Sequence, residues 1–486
     1  MSVFKKLFQQ TFIYGLATVL PRALSIVLVP LYTLELAPSA FGVYATLMSY
    51  LILGNVLLSY GMETAFFRFV NKHADKKAIV QSTALRSLTV STLIFVVVLL
   101  FFRESLSSVL EFKTEYVTYA LLILALDALV VLPFVWLRAN ERPMRYAVLK
   151  ILNVCINLGF NLFFFLLLPI LVADAPNSFW STIYSEENKI AYVFISNLIA
   201  SGITLLIVMP LYIKIGFAFD REIWKQMLKY AFPVLIAGIA FSINEAFDKI
   251  LLKYLLPPDI AASQVGIYAA CYKLGVFMTL FATAFRLGIE PFFFNHAKHK
   301  NAKNTYATIT KYFTILGSFI LLFVIVYIDF FKVLLIKDSA YWEALPVVPI
   351  ILLANLCLGI YHNLSVWYKV TDRTKFGAYI SIFGAIVTLV VNFLLIKHIS
   401  YMGSAIATLA AYGSMMFLSY YFGRKYYPVP YDIKKIVGYL LLSIGFSMIC
   451  FYGYPGNLLI GTLLLLVFLL LIYISERREI LRIIKR

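Results

Sequence analysis

Long apolar runs dominate this 486-residue chain. Because about 20 apolar residues cross a bilayer as a helix, fourteen such runs predict an all-α polytopic membrane protein with fourteen transmembrane helices. The composition agrees, since 62% of the residues are hydrophobic and only 14% are charged. The predicted spans are 11–34, 40–62, 80–102, 116–137, 146–171, 191–213, 228–252, 264–288, 309–331, 343–366, 376–396, 402–423, 436–453 and 457–475.

Basic residues alternate between the gaps that separate these spans. The N-terminus, every second gap and the C-terminal tail hold 30 of the 42 Lys and Arg residues, and the opposite gaps hold six. By the positive-inside rule, this asymmetry predicts that both termini are cytoplasmic and that the number of crossings is even. The net charge of +18 therefore reflects topology, and no nucleic-acid partner is expected.

The C-terminal tail, residues 476–486, has apolar residues at helical spacing among five basic residues. Such a pattern is typical of a helix that lies at a membrane surface. We expect the tail to lie on the inner membrane face, where anionic membrane lipid would hold it.

A repeated motif relates two halves of the chain. Trp136-Leu-Arg138-Ala-Asn-Glu141-Arg142 returns as Trp367-Tyr-Lys369-Val-Thr-Asp372-Arg373 at an offset of 231, which still holds at Asn161 and Asn392. A fixed offset indicates duplicated architecture. Three more pairs support it: Phe41-Gly42-Val43-Tyr44-Ala45 with Val265-Gly266-Ile267-Tyr268-Ala269, Gly61–Phe67 with Gly288–Phe294, and Ser196–Gly202 with Ala407–Gly413 at an offset of 211.

Six spans per copy is an even number, so both copies enter the membrane from the same side and form parallel repeats. The predicted domains are an N-lobe at 1–215 (spans one to six), a C-lobe at 216–425 (spans seven to twelve), and 426–486 with spans thirteen and fourteen and the basic tail. The first half carries about 20 extra residues at 172–191, because the offset falls from 231 to 211. This outer loop is a short lid or a passive surface loop.

Several basic residues lie inside the spans, where a charge costs about 2.5–3.5 kcal/mol on insertion scales. Arg22 lies near the middle of span one and Lys273 near the middle of span eight, in equivalent central regions of the two halves. We expect at least one of them to face a water-filled cavity. Arg286 and Arg86 lie near the inner ends of spans eight and three, where they line the cavity or extend to the membrane surface.

Acidic residues inside the spans are candidates for coupling or gating. Asp127 lies near the middle of span four, and Glu245, Asp248 and Lys249 cluster in span seven, with Glu245 and Lys249 one turn apart and able to pair. Structural ion pairs between packed helices explain these residues equally well. Two further candidates, Glu63 and Glu290, occupy matching repeat positions at the ends of spans two and eight, as gate residues or simple helix-end residues.

Asparagines line two spans. Asn153, Asn157 and Asn161 form one polar stripe along span five, and span ten carries Asn355 and Asn363 beside His362. They are candidate contacts for sugar hydroxyls. Hydrogen bonding between helices, worth about 0.6–2 kcal/mol per bond in membranes, explains them equally well.

Sequence signatures of enzymatic chemistry do not stand out in this chain. We find no phosphate-binding loop, dinucleotide fingerprint, zinc-protease motif or nucleophile elbow. The four cysteines all fall within apolar spans, and we interpret them as small hydrophobic residues. We therefore predict no enzyme, no metal and no cofactor, with coupling to H⁺ or Na⁺ as an open alternative.

The chain resembles the Wzx-type oligosaccharide flippases of the multidrug/oligosaccharidyl-lipid/polysaccharide (MOP) superfamily over nearly its whole length. The resemblance rests on the fourteen spans, the two parallel six-helix lobes with two trailing helices, and three short motifs at Phe41–Tyr44, Gly61–Arg68 and Phe285–Phe293. It implies a multi-pass protein of the bacterial cytoplasmic (inner) membrane with the MATE-like fold. It also implies movement of a polyprenyl-diphosphate-linked oligosaccharide, a repeat unit of O-antigen, capsule or exopolysaccharide, to the outer leaflet by alternating access.

This resemblance gives the charged residues a role. Arg22, Lys273, Arg286 and Arg86 would neutralise the diphosphate in a low-dielectric cavity. The lipid-linked oligosaccharide is the expected partner, together with glycosyltransferases and a glycan polymerase of the same pathway.

Three other functions remain as alternatives. A multidrug antiporter of the same superfamily would need an acidic site in its first lobe, yet span one carries Arg22 and has no carboxylate before Glu35. A lipid II flippase shares the fourteen spans but has a denser arginine pattern in span one. A membrane glycosyltransferase would use carboxylates such as Asp174, Glu186 and Glu187 of the outer loop, which is weak support.

Overall fold

The structure is a computed structural model that describes residues 3–297 and 299–484. The side chains of 3–12, 14, 74, 291, 294, 295, 478 and 480–484 lie outside the description. Lys5 and Lys6, on which the predicted position of the N-terminus partly depends, are among these, and so are the final basic residues of the tail.

The described residues form helices and contain no strand. In the first half the helices are α1 Val3–Ile26, α2 Leu28–Glu35, α3 Pro38–Ser59, α4 Met62–Lys72, α5 Lys77–Phe101, α6 Arg103–Leu110, α7 Thr114–Ala139, α8 Pro143–Leu162, α9 Leu168–Asp174, α10 Phe179–Ile183, α11 Lys189–Ile215 and α12 Arg221–Leu255. The rest are α13 Pro258–Tyr272, α14 Val276–His296, α15 Ala302–Val326, α16 Ile328–Leu335, α17 Val347–Leu364, α18 Val366–Val370, α19 Lys375–Tyr426, α20 Ile433–Met448 and α21 Leu458–Ile484.

Thirteen helical segments of the described chain are long and apolar enough to cross a membrane. One of them, α19, has 52 residues and is interrupted at Ile399 and Ser400, where Ser400 has a φ of 47°. At 1.5 Å per residue, a straight helix of that length would be more than twice the thickness of a hydrocarbon core of about 30 Å. The two halves of α19 therefore correspond to predicted spans eleven and twelve, and the predicted all-α fold is confirmed.

Several spans contain local breaks that their apolar patterns do not predict. Span one bends at Val27 between α1 and α2, because Pro30 has no N–H to donate one turn back and its ring crowds the preceding turn. Span eight contains a 3₁₀ turn at Lys273–Gly275, and span five contains a π-helical turn at Phe163–Leu167. Such departures from α geometry are common where helices bend near functional sites.

Equivalent backbone geometry at the two repeat motifs confirms the duplication. Glu141 and Asp372, 231 positions apart, are both left-handed, with φ of 51° and 55°. The following amides then bond back in the same way, from Arg142 N to Leu137 O at 2.9 Å and from Arg373 N to Tyr368 O at 2.8 Å. Both motifs thus end their helices with the same cap.

The glycines of the second repeat motif lie at a helix crossing. A Cβ atom built on Gly42 would lie 1.8 Å from the carbonyl oxygen of Ala262, and one built on Gly266 would lie 1.8 Å from that of Pro38. No side chain fits at such distances, so the two backbones touch directly. The helix starts that carry the motif therefore cross through glycine, in a nearly two-fold arrangement.

The chain divides into two compact units, residues 1–266 and 267–486, called unit 1 and unit 2 below. Unit 1 contains spans one to seven, and its seventh span, α12, packs on α3 and α4. Its core holds two apolar clusters, one around Met62, Leu85 and Trp136 and one around Leu47, Leu121 and Phe194. The lobe boundary predicted at 215 stays a prediction.

In unit 2, buried charges fasten the two trailing spans to α15. Lys311 contacts Glu476 at 2.6 Å and Glu479 at 2.7 Å, while Lys435 contacts Glu476 at 2.8 Å. Tyr439 also donates to Glu476. Since α21 runs without a break from Leu458 to Ile484, the tail up to that residue extends span fourteen. Lys311 holds the first tail turn against α15, and the position of the tail on the inner membrane face stays a prediction.

Candidate functional site

Unit 1 encloses a polar cavity of about 450 Å³ between α3, α7, α8 and α11. This volume falls within the range of about 300–1,000 Å³ that is typical of small-ligand pockets. Its polar lining is Asn55, Ser59, Glu63, Asp127, Arg138, Tyr146, Lys150, Asn153, Asn197, Ser201 and Thr204. Three predicted residues, Glu63, Asp127 and Asn153, are thus brought together from α4 and from spans four and five.

Hydroxyl and amide groups order the deep part of this cavity. Ser201 donates to Asp127 Oδ1 at 2.8 Å, and Asn153 donates to Thr204 at 2.9 Å. The Lys150 ammonium lies 4.4 Å from the centre of the Phe134 ring. Among the described ion pairs none joins Asp127 to Lys150, so an acid and a base face the same space without direct contact.

A second acid–base pair, Glu63 and Arg138, also lines the cavity. Arg138 Nη1 contacts Glu63 Oε1 at 2.9 Å, with both side chains more than 40% exposed. With Asp127 and Lys150, the lining holds two carboxylates and two cations. The cavity is therefore electrically neutral overall and rich in hydrogen-bonding groups, which suits an uncharged polar ligand.

Unit 2 contains a basic cleft between α14, α17 and α18. Arg286 Nη1 lies 3.4 Å from His362 Nε2, and Lys369 contacts Glu290 at 2.6 Å. The enclosed volume is only about 10 Å³, room for about one water. Arg286 and Lys369 line the cleft together with a single carboxylate, Glu290, so its charge favours an anion.

Two buried amides of α17 lack partners for one polar atom each among the described residues. The Oδ1 of Asn363 is one, although its Nδ2 donates to Gly359 O at 3.0 Å, and the Nδ2 of Asn355 is the other. Asn363 lines the basic cleft and Asn355 does not. An unpaired polar atom in a membrane interior costs several kcal/mol, on the order of a lost hydrogen bond, so Asn363 has capacity for water or ligand.

The remaining predicted cations differ in their surroundings. Arg22 on α1 and Lys273 in the 3₁₀ turn are both exposed in their own units, and neither lines the cavity or the cleft. Arg86 donates to Phe217 O at 3.4 Å and lies over the Phe219 ring. The structure therefore ties Arg86 to the connection after span six, and its role in substrate binding stays a prediction.

The acidic cluster of span seven has a different pairing from the expected one. Lys249 contacts its neighbour Asp248 at 2.9 Å, whereas Glu245 is exposed. The i, i+4 spacing allows a Glu245–Lys249 pair, but the buried Asp248 carboxylate needs a counter-charge more than an exposed one does. Gating or coupling by these residues stays a prediction.

The end of the span-five asparagine stripe takes part in helix packing. Asn161 accepts from Tyr32 at 2.8 Å and donates to Asn157 O at 2.8 Å, and it has no exposed surface. Its repeat partner Asn392 accepts from Ser404 at 2.8 Å and donates to Thr388 O. This geometry favours the structural explanation for Asn157 and Asn161, while Asn153 remains available to a ligand.

The outer loop at 172–191 is folded. It carries α10, Trp180 packs edge-on against Phe163, and Tyr192 bonds to Ile183 O at 2.9 Å. Lys189 joins Glu35 of span one to Glu186 of the loop at 3.1 and 3.0 Å. These contacts fix the loop to α2 and leave both interpretations, lid and surface loop, open.

Four basic residues that line the cavity or the cleft were not among the predicted candidates, namely Arg138, Lys150, His362 and Lys369. Arg138 and Lys369 are the basic residues of the repeated Trp motif, and their pairing with Glu63 and Glu290 at matching positions was a signal in the repeat itself. Lys150 gave no such signal, because it was counted among the basic gap residues. The described residues contain no group of three or more His, Cys, Asp or Glu side chains placed to hold a metal ion.

Comparisons with known proteins agree with this architecture. Residues 7–285 match the sequence profile of a family described as polysaccharide biosynthesis protein. The curated protein sequences give no significant match. Among solved structures, the lipid II flippase MurJ in an inward closed conformation matches with a TM-score of 0.68 and 16% identity, over 96% of this chain and 100% of that one.

Two MATE transporters match in the same way. An inward-facing multidrug resistance MATE family transporter of the MOP superfamily gives a TM-score of 0.63 and 13% identity, over 88% of this chain and 95% of that one. A point mutant of the MATE transporter VcmN of Vibrio cholerae gives a TM-score of 0.60 and 16% identity, over 87% of this chain and 96% of that one. At these identities the likeness establishes the fold, which is the one that the sequence resemblance implies.

Proposed function

The chain belongs to the polysaccharide biosynthesis protein family, and from this premise we propose that it moves a polyprenyl-diphosphate-linked oligosaccharide across the membrane. The cargo would be a repeat unit of O-antigen, capsule or exopolysaccharide. The observation that carries the proposal is the neutral polar cavity of unit 1, which offers amides and hydroxyls at a depth where lipid offers none. A lipid-soluble cation would find no net negative charge there.

The glycan part of the cargo would occupy this cavity. Asn55, Asn153 and Asn197 supply amides that both donate and accept, and Ser59 and Tyr146 supply hydroxyls, which together match the mixed pattern of a sugar ring. The neutral charge balance avoids a fixed preference for charged sugars.

Each unit, taken by itself, offers candidate cations that would neutralise the diphosphate. In unit 2, Arg286 and Lys369 line the basic cleft, and Lys273 is exposed at the break in span eight. In unit 1, Arg22 is an exposed cation within span one. Arginine forms paired hydrogen bonds with phosphate oxygens, which makes Arg22 and Arg286 the strongest candidates.

Movement would follow alternating access. The glycine crossing at Gly42 and Gly266 keeps the two repeat-related helix starts in backbone contact. Release to the outer leaflet would separate them. Gly42→Val would place a side chain against a backbone carbonyl, so we expect it to disfavour this contact and increase cysteine labelling at the outer ends of spans two and eight. Labelling equal to that of the wild type would argue against this step.

Coupling to an ion gradient is part of the same proposal. Asp127 lines the cavity beside Ser201 and is the carboxylate best placed to exchange H⁺ or Na⁺ with the aqueous space. Exposed Glu245 is the second candidate. Transport that ignores both gradients when each is clamped in turn would remove coupling from the proposal.

The basic gaps support a cytoplasmic position for both termini in a bacterial inner membrane, with the glycan assembled on the same side. Glycosyltransferases and a polymerase would then act before and after this step. The proposal is tested in a strain that lacks the gene. Lipid-linked oligosaccharide should accumulate on the cytoplasmic leaflet, inaccessible to an external glycosidase, and normal surface glycan in that strain would overturn the proposal.

A further inference from the structure

Unit 2 contains a crevice that shares no lining residue with the basic cleft. It has a volume of about 370 Å³ and is bounded by the end of α15, by α16, by the 3₁₀ turn Ser339–Ala344 and by the turn between spans thirteen and fourteen. These are the ends of the spans opposite the basic gaps. The crevice therefore opens at a membrane surface.

The crevice has an apolar floor. Ile325, Val326, Cys450 and Gly461 line it and are buried, and Phe451 is partly buried beside them. Cys450 and Phe451 belong to a π-helical turn, Ile449–Gly453, that ends span thirteen. This floor lies between membrane spans, where hydrocarbon is the available ligand.

The rim of the crevice is charged and aromatic. Lys332 bonds to Asp329, and its ammonium lies 4.6 Å from the centre of the Trp342 ring. Glu343 accepts from Tyr401 at 3.2 Å and is otherwise exposed. Two carboxylates and one ammonium leave a net charge of −1. Trp342 and exposed Tyr454 are residues typical of the interface between hydrocarbon and water.

The far wall of the crevice is a tight turn. Tyr454, Pro455, Gly456 and Asn457 form a hydrogen-bonded turn, closed by Asn457 N to Tyr454 O at 3.2 Å, with Gly456 at a φ of 75°. A Cβ atom on Gly456 would lie 3.3 Å from Asp329 Oδ2. The glycine thus lets the turn approach the carboxylate closely and keeps the rim narrow.

We propose that this crevice binds a phospholipid whose headgroup carries a primary ammonium, as ethanolamine phospholipids do. The floor would hold the first part of an acyl chain. Lys332 would meet the phosphate, and Asp329 and Glu343 would accept hydrogen bonds from the ammonium. The inference is independent of the transport proposal.

Charge complementarity selects this ligand over its alternatives. A net charge of −1 on the rim disfavours an anionic glycerol phospholipid, and it disfavours the doubly charged diphosphate of a lipid-linked glycan even more. A choline headgroup carries the positive charge but no N–H to donate to the carboxylates. Only a primary ammonium satisfies both the charge and the hydrogen-bonding pattern.

The test uses the full chain, purified in detergent and equilibrated with vesicles containing equal amounts of dioleoyl ethanolamine, choline and glycerol phospholipids. Retained lipid is quantified by mass spectrometry after gel filtration. We expect the ethanolamine lipid to be enriched by about fivefold or more over each of the others, as charge-assisted hydrogen bonds imply. Equal retention of the three lipids would overturn the proposal.

Variants locate the enrichment. Glu343→Gln and Asp329→Asn should each reduce it, while Glu187→Gln, which alters an exposed carboxylate of unit 1, should leave it unchanged. Cys450→Phe should remove it by filling the floor while the rim charges stay in place. Enrichment that survives Glu343→Gln and Cys450→Phe, or a crevice that retains a soluble oligosaccharide in place of lipid, would reject the assignment.

Discussion

Equivalent positions of the two repeats enclose a polar cavity in unit 1 and a packed apolar cluster in unit 2. At the offsets of 231 and 211, Asp127 corresponds to Leu358, Ser201 to Tyr412 and Thr204 to Met415. Tyr412 and Met415 are each only 1% exposed and pack with Ala354, Cys357 and Ile380. The same duplicated helices therefore surround a polar cavity in one copy and a packed apolar core in the other.

The difference lies in a few side chains, because the framework itself is shared. Both copies keep the left-handed cap after the Trp motif, the pairing of its basic residue with a glutamate and the buried asparagine of the next span. Unit 2 adds the basic cleft and the buried network that fastens spans thirteen and fourteen. The duplication therefore accounts for the shared helices, and the side chains that differ between the copies give unit 1 a neutral cavity and unit 2 a basic cleft.

The largest expected effect is a loss of stability in unit 2. Glu476→Gln leaves buried Lys311 with a weakened counter-charge, so we expect a loss of about 3–5 kcal/mol in the free energy of unfolding. The matched control is Glu479→Gln, because that carboxylate also contacts Lys311 but is 45% exposed. Thermal unfolding of the full chain in detergent measures both. Equal losses in the two variants would contradict a buried network centred on Glu476.

A smaller effect is expected at the basic cleft. Arg286→Gln removes a charged hydrogen-bond donor, worth about 1.5–3 kcal/mol, so transport of the lipid-linked oligosaccharide should fall about 10- to 100-fold. Arg86→Gln is the control, because Arg86 is tied to the backbone of Phe217. A greater loss with Arg86→Gln than with Arg286→Gln would reverse the assignment of these two cations.

A cavity residue of unit 1 can be replaced by the residue at the equivalent position of unit 2. Thr204→Met introduces the residue found at the equivalent position 415 and fills part of the space beside Asn153, so transport should fall about tenfold, or roughly 1.4 kcal/mol. Thr308→Met on the exposed face of α15 is the control for membrane levels. Normal transport with Thr204→Met would mean that the cargo does not use this cavity.

The smallest expected effect concerns the ion pair that both copies share, between the basic residue of the Trp motif and a glutamate. Glu63→Gln and Glu290→Gln each break a half-exposed pair, and exposed pairs contribute about 0–1 kcal/mol. We expect similar, small losses of stability from both, read from the same unfolding experiment. A loss of several kcal/mol at one position alone would show that the shared pair has a different role in that copy.

Much of the fold could be predicted from the sequence, because apolar length and basic asymmetry report on each span without knowledge of its neighbours. The junction of spans eleven and twelve is an example. Lys397, His398 and Ser400 separate the two apolar runs, and the chain turns at Ile399 and Ser400, inside this predicted gap. The ion pairs at the start of the tail were not predicted, since amphipathic spacing does not reveal that Lys311 and Lys435 would bind Glu476.

The candidate site was less predictable, because the side chains that face a cavity depend on helix rotation. Asp127 and Asn153 were selected as polar residues in apolar spans, and both line the cavity. Asn161 has the same sequence signature but points into a helix contact with Tyr32. Lys150 was overlooked because a lysine near a span end has the same pattern whether it reaches the membrane surface or a cavity.

The most direct test of the proposed transport is reconstitution. The purified chain is placed in vesicles with a fluorescent polyprenyl-diphosphate oligosaccharide in the inner leaflet, and an external glycosidase reports the fraction that reaches the outer leaflet. We predict that the accessible fraction rises with the wild-type protein, and that it rises more slowly, by about tenfold or more, with Arg286→Gln or Thr204→Met. An accessible fraction equal to that of protein-free vesicles, with folded protein present, would contradict the account.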